Sequence, residues 1–262
     1  MLTATRRLCI VVGLLGALAL LPASRVPAAH AQPRALDVPY VPTPEHIVEA
    51  MLRLAKPTKD DFLVDLGCGD GRLPIMAATK FGTRGFGVDL NPLRIKEARA
   101  NAAKAGVTDK VEFIEGDLFK TDFKKASVLT LYLLPDVNLA LRASILEMMP
   151  GTRVVSHAFT MDDWKPDASE QHDFRSVYFW IVPARVAGRW AGTVGASKVE
   201  LSLEQRFQEI VGGTATVDGR PAAIGPSKIA GDAFSINIGA LRINARVEGA
   251  RLEGEGLRLD KI

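Results

Sequence analysis

Between Thr43 and Pro183 short apolar runs alternate with stretches of helical periodicity. Five runs predict buried strands: DFLVDLG from Asp61, GFGVDL at Gly85 to Leu90, KVEFIEGD at Lys110 to Asp117, SVLTLYLL at Ser127 to Leu134, and TRVVSHAF at Thr152 to Phe159. A further run, SVYFWIVP at Ser176 to Pro183, is expected to close the sheet. The intervening stretches read as helices. TPEHIVEAMLRLA opens with Thr43 as N-cap and Pro44 at the first helical position, and sets Ile47, Met51 and Leu54 along one face. NPLRIKEARANAAKAG has an Asn91 cap, Pro92 behind it and Gly106 as terminator. A third helix, Asp136 to Met149, would turn Leu139, Leu146 and Met149 inward. This alternation is the mark of an α/β fold, a parallel sheet covered by helices on both faces.

After Pro183 the hydrophobic period changes to two. Phe234, Ile236 and Ile238 alternate with Ser235 and Asn237, and VDGR at Val217 to Arg220 is a hairpin signal. Residues 187–262 therefore predict a small antiparallel β meander, half a barrel or a curved sheet. It carries no titratable constellation and reads as a structural appendage, although a curved sheet needs a cover on one face and could bind a partner or an apolar molecule.

The other end has its own pattern. Arg6 and Arg7 precede the apolar run Leu8 to Leu21, and small residues at Ala29 to Ala31 offer a cleavage site, so residues 1–31 read as a secretory signal peptide. The run is shorter than the roughly 18 apolar residues a membrane span needs. Export to the periplasm or cell envelope is the expectation, with no stable span after cleavage.

Composition adds limits. Without residues 1–31 the chain has 30 basic and 30 acidic side chains, and no basic stripe, so nucleic acid is not an expected partner. Cys68 is then the single cysteine, accompanied by His46, His157 and His172; this leaves no intrachain disulfide and no zinc-like spacing, and no metal site is expected.

The candidate chemistry lies at the predicted strand ends. FLVDLGCGDGR places Asp65 before Gly67, Gly69 and Gly71, whose missing side chains let a ligand approach the backbone. Asp89 ends the second strand 22 residues after Gly67, and Asp117 ends the third. In open parallel sheets such ends bind the ligand, and a carboxylate at this distance suits ribose hydroxyls. A nicotinamide fingerprint would need glycine where Arg72 stands, and the lysine of a phosphate loop is absent.

These motifs resemble the class I methyltransferases that use S-adenosyl-L-methionine, over roughly residues 36–185. The resemblance implies a Rossmann-like seven-stranded methyltransferase sheet within residues 32–186. It also implies that Asp65, Gly67, Gly69 and Gly71 line the methionine part, Asp89 the ribose and Asp117 the adenine amino group. VPYVPT at Val38 to Thr43, DLGCGDGR, GVDLNP, LYLLP and TRVVSHAF with Trp164 are similar to the lysine methyltransferases of the adenine nucleotide translocase and the ATP synthase c-subunit, and to their bacterial relatives. The eukaryotic members commonly carry glutamate where Asp89 stands.

That family implies a protein substrate with an accessible lysine. A lysine of pKa about 10.4 is unprotonated only about one time in a few thousand near neutral pH, so an apolar mouth that lowers its pKa assists transfer. Tyr40, Tyr132 and Leu134 are candidates for that mouth, and His157 is a candidate proton acceptor. The absence of N-P-P-Y after the fourth strand argues against methylation of adenine or glutamine amides. Two other readings stay open: a lipid- or quinone-like acceptor, and a noncatalytic envelope protein that keeps the fold. Export also separates the protein from the cytoplasmic source of its cofactor, which the sequence does not reconcile.

Overall fold

The computed structural model describes residues 40–262; the expected signal peptide lies outside them. Among the described residues sixteen strands form two sheets with separate cores, and four helices cover the first.

The first sheet contains β1 Phe62–Leu66, β2 Arg84–Asp89, β3 Val111–Glu115, β4 Val128–Leu131, β5 Arg153–His157, β6 Ala168–His172 and β7 Arg175–Ile181. Their order is β3-β2-β1-β4-β5-β7-β6, with β1 to β5 parallel and β7 and β6 antiparallel to their neighbours. At the centre of the sheet both faces are buried, which is why β1, β4 and β5 are largely apolar: Leu63, Val128 and Val155 face one helical layer, and Val64, Leu129 and Val154 the other. Helices α1 Glu45–Ala55 and α2 Arg72–Phe81 cover the first face, α4 Pro135–Ile145 the second, and α3 Pro92–Ala105 packs beside α2 against Phe113. Strand order reverses between β1 and β4, so the connections after these two strands diverge and leave a crevice at the carboxyl edge.

Several expectations are corrected. The residue flanking α1 is Pro44 rather than Thr43, and no side chain caps the helix; the Thr43 hydroxyl lies 3.2 Å from His157 Nδ1 instead. The fourth strand stops at Leu131, ahead of Pro135, which opens α4. α4 ends at Ile145, and its inward positions are Val137, Leu141 and Ile145, while Leu139 and Met149 are exposed. The i, i+4, i+8 row beginning at Val137 faces the sheet, so the expected phase was displaced. The 176–183 run is not the sheet's edge: β7 lies inside it, and the edge is β6, whose polar sequence ASEQH gives no apolar signal. The Asn91 cap, which accepts the Leu93 N–H at 3.0 Å, and the left-handed Gly106 are where the sequence puts them.

The second sheet has nine antiparallel strands: β8 Gly188–Val194, β9 Ser197–Arg206, β10 Glu209–Val217, β11 Arg220–Ala222, β12 Ile224–Ala230, β13 Ala233–Ile238, β14 Leu241–Glu248, β15 Arg251–Gly254 and β16 Leu257–Lys261. It is larger than a simple meander, because β16 returns to pair with β8. Register shifts at Ile210/Gly212 and at Ile224/Ser227 mark β10 and β12, which approach each other across the opening. Such bulges bend strands and let a sheet curl toward closure. Trp190, Leu201, Phe234, Ile236, Ile243, Leu252 and Leu259 fill the interior. Among the described residues no helix is long and apolar enough to cross a membrane.

Candidate functional site

At the carboxyl edge of the first sheet a cavity is lined by Tyr40 to Thr43, Asp65, Gly67 to Asp70, Arg72, Asp89, Arg94, Gly116, Tyr132 and Leu133, among others. The turn after β1 forms its floor. Gly67 and Gly69 have φ of +77° and +54°, a region that disfavours side chains. A Cβ on Gly67 would sit 2.9 Å from Leu133 Cδ2, and one on Gly69 2.6 Å from Tyr40 Cε2. Gly71 differs: a Cβ there would meet Phe113 at 2.5 Å and Ala98 at 2.9 Å, so it permits helix packing and does not line the cavity.

Asp89 ties two of the loops together. Its Oδ2 accepts the Gly69 N–H at 2.9 Å and its Oδ1 the Asn91 N–H at 2.8 Å. Each carboxylate oxygen keeps a further lone pair for a ligand hydroxyl. Asp65 lies opposite Thr130 in the β1–β4 register and accepts its hydroxyl at 2.7 Å. Burial, reinforced by Asp89 and Asp70, pushes the Asp65 carboxyl up to about 7. Burial also acts on Asp70, but the Arg72 guanidinium outweighs it and holds that carboxyl below its ordinary value.

Arg72 ties two segments together through a bond that no sequence motif announces. It grips Asp70 through Nε at 2.9 Å and Nη2 at 2.5 Å, and donates from Nη1 to the Thr43 carbonyl at 2.6 Å. The strap Tyr40 to Thr43 is thereby tied to the glycine turn. Tyr40 lies against Gly69, with the Arg94 guanidinium 4.4 Å from its ring centroid. Its hydroxyl is raised by burial and by Asp70. The Asp70, Arg72 pair was visible in DGR, but its bond to a backbone carbonyl 29 residues upstream has no sequence signal.

On the β4 and β5 side, Tyr132 lies over His157 with ring centroids 3.9 Å apart, and Phe159 stacks on Tyr132 at 6.3 Å. His157 does not line the cavity: it is fully buried, and its Nε2 meets no protein partner. Burial, with Arg175 and His46 adding, pulls its pKa down to about 4. A ring this weakly basic is neutral at physiological pH, with one ring N–H, and does not take up a second proton there, which argues against its expected role as proton acceptor. Asp117 flanks the cavity between Gly116 and Leu118 without lining it, and its Oδ1 accepts the Phe119 N–H at 3.0 Å. Tyr40, Asp65, Gly67, Gly69, Asp89 and Tyr132 thus meet in one cavity, while Gly71, Asp117 and His157 stand behind or beside it. Cys68 is buried and its thiol is pushed well up, chiefly by burial, which leaves it unreactive.

Residues 65–168 match the ANTKMT methyltransferase domain. The chain is 44% identical over 154 residues to a protein-lysine N-methyltransferase of Saccharolobus islandicus, a match covering 55% of this chain and 94% of that protein. This chain belongs to that methyltransferase family. The methyltransferase is also 36% identical over 140 residues to the adenine nucleotide translocase lysine N-methyltransferase of Mus musculus, covering 52% of this chain and 59% of that one. Among solved structures it resembles one described as an RNA methyltransferase from Salinibacter ruber in complex with S-adenosyl-L-homocysteine. That likeness has 49% identity and a TM-score of 0.55, and covers 56% of this chain and 96% of the other.

The cofactor of this methyltransferase is S-adenosyl-L-methionine, and the cavity suits it. Three carboxylates, Asp65, Asp70 and Asp89, face a space floored by bare backbone. A bound cation would relieve the mutual repulsion that helps raise Asp65.

Proposed function

We propose that this enzyme transfers a methyl group to the side-chain amine of a lysine in a protein. The observation that carries the reading is the uncharged aromatic wall beside the cofactor cavity, Tyr132 with Phe159 stacked on it, backed by a buried His157 that is neutral at physiological pH. S-adenosyl-L-methionine supplies the methyl group in an activated sulfonium form. The chain's residues hold and orient. Asp89 would hold the cofactor's ribose, Asp65 and the backbone at Gly67 and Gly69 its methionine part, and the turn at Asp117 would border its adenine. Tyr132 and Phe159 admit an amine only after it has shed its proton to water, because desolvation disfavours the ammonium form. In-line placement then supplies most of the acceleration. His157 acts by supporting the Tyr132 ring.

A protein acceptor is also supported by the rim. Tyr40, Val41, Leu93, Phe119, Leu134 and Phe174 are exposed large apolar side chains at the carboxyl ends of the strands or on the hairpin beside them. The relatives' names supply lysine as the acceptor class, and the expected signal peptide suggests an envelope protein as its bearer. The test uses tritiated S-adenosylmethionine with protein and RNA fractions from a strain lacking the gene, followed by mass spectrometry of the labelled fraction. The reading expects label on one lysine of an envelope protein, absent with Asp89→Ala. Label on RNA or on an extractable lipid, with none on protein, overturns it.

A further inference from the structure

We propose that the tip of the β9–β10 hairpin, Arg206 to Gln208, is a positioning element for methyl transfer, acting through the loop that follows β5. The inference rests on the acceptor wall proposed above, and it gives the C-terminal sheet a role in the reaction. The tip lies outside the residues that match the family domain, yet it grips a loop inside them.

The grip is specific. Gln208 uses both ends of its amide, accepting the Trp164 Nε1–H at 2.9 Å and donating to the Lys165 carbonyl at 2.8 Å. Phe207 stacks on Trp164 with centroids 6.0 Å apart and planes 21° apart. Arg206 pairs with Asp163, which also pairs with Arg142 of α4. The Arg142 guanidinium lies 5.4 Å from the centroid of Phe207 and also donates to the Met161 carbonyl at 2.9 Å. Phe207 holds φ of +53°, a left-handed conformation that disfavours a side chain, at the point where its ring meets Trp164.

From this loop the path to the reacting centre is short. Asn138, fully buried on α4, donates to the Phe159 and Thr160 carbonyls at 3.5 and 3.3 Å. Trp164 is itself fully buried, and its carbonyl accepts Trp180 Nε1–H at 2.9 Å. The segment from Ala158 to Lys165 is therefore fixed by α4 and β7 on one side and by the hairpin tip on the other. Its first aromatic, Phe159, stacks on Tyr132. The glycine turn and Asp89 receive no bond from the tip, so the cofactor side should not feel its loss.

Gln208→Ala and Phe207→Ala, each in the full chain, test this. The measurements are amide hydrogen exchange, the affinity for S-adenosylhomocysteine, and transfer kinetics on the envelope-protein fraction of the deletion strain. Exchange across residues 158–165 should rise about tenfold or more, with S-adenosylhomocysteine affinity and exchange at residues 67–71 unchanged. Transfer should fall about tenfold, mainly in kcat, since a small misplacement of an aligned group is costly. Gln208→Glu keeps the acceptor for Trp164 and should recover part of the loss, and Arg220→Ala, on the same sheet away from the tip, should change nothing. Unchanged exchange in both alanine variants overturns the proposal, as does faster exchange with unaltered transfer, or an equal loss of cofactor affinity. Tyr132→Ala separates the two readings: if it leaves transfer intact, the acceptor wall is wrong, and the exchange data still decide whether the tip clamps the loop.

Discussion

Asp65→Asn separates the cost of building the site from its use. The wild-type carboxyl is 3% exposed and sits at about 7 instead of 3.8, first because of burial and then because Asp89 and Asp70 lie near. Between those two values the folded protein retains a proton that the unfolded chain has released. The unfolded state binds fewer protons there, so stability falls as pH rises through the window and levels off above it. At about 1.4 kcal/mol per pH unit inside the window, going from about pH 5 to about pH 8 removes ~2 to 3 kcal/mol through this group. Asparagine preserves the shape and still accepts the Thr130 hydroxyl, but it cannot ionise. Its new N–H can offset the absolute gain by about 1 to 3 kcal/mol if it stays unpaired, whereas the loss of slope does not depend on that. Urea unfolding at several pH values should therefore show a wild-type decline that the variant lacks. Cofactor binding should respond in the opposite sense, because a cationic ligand favours ionised Asp65. Wild-type affinity for S-adenosylmethionine should tighten as pH rises through about 7, and the variant should bind more weakly, with a flat profile. Parallel stability profiles for the two proteins would refute the reasoning.

Other substitutions probe other parts of the site. Gly69→Ala drives a Cβ to 2.6 Å from Tyr40 at φ +54°; calorimetry should show at least about tenfold weaker cofactor binding, and melting a loss of only ~1 to 2 kcal/mol. Gly71→Ala, pressed against Phe113 and Ala98, should instead cost stability, with ~1 to 3 kcal/mol of overpacking added to the left-handed penalty in denaturant melts. His157 stays neutral above about 4, so the pH profile of transfer should show no limb from it near neutrality. Because the unfolded chain takes up the proton that folded His157 refuses, stability should fall as pH drops from about 6.5 toward 4, and His157→Gln should shed that slope in acid melts. Tyr132→Phe keeps the ring over His157 and should retain most transfer, while Tyr132→Ala should lower it about tenfold or more with cofactor affinity unchanged.

Much of the site was legible because class I strand ends place charge and glycine at fixed chain positions. Asp89 and the glycines were placed at the carboxyl edge by spacing, and Asp65 by the family resemblance, since the parallel sheet brings those ends together. The tie from Arg72 to the Thr43 carbonyl was hidden, because a carbonyl carries no residue-type signal. Thr43 resembled a helix cap, but its hydroxyl pairs with Nδ1 of the nearby buried His157 ring instead. The edge strand β6 was missed because a solvated edge needs no apolar face. The alternation after Pro183 announced antiparallel strands, yet a nine-stranded curl depends on where the bulges fall and on the return of β16 to β8, both decided by tertiary packing.

The central claim is that the carboxyl-edge cavity holds the adenosyl cofactor through Asp89. Titration calorimetry with S-adenosylhomocysteine on the wild type and on Asp89→Ala tests it most directly. The account predicts one site per chain in the wild type and at least about a hundredfold weaker binding in the folded variant, since the ribose acceptor and both loop N–H bonds are lost together. Equal affinity in the two proteins, or no binding to a folded wild type, would contradict it.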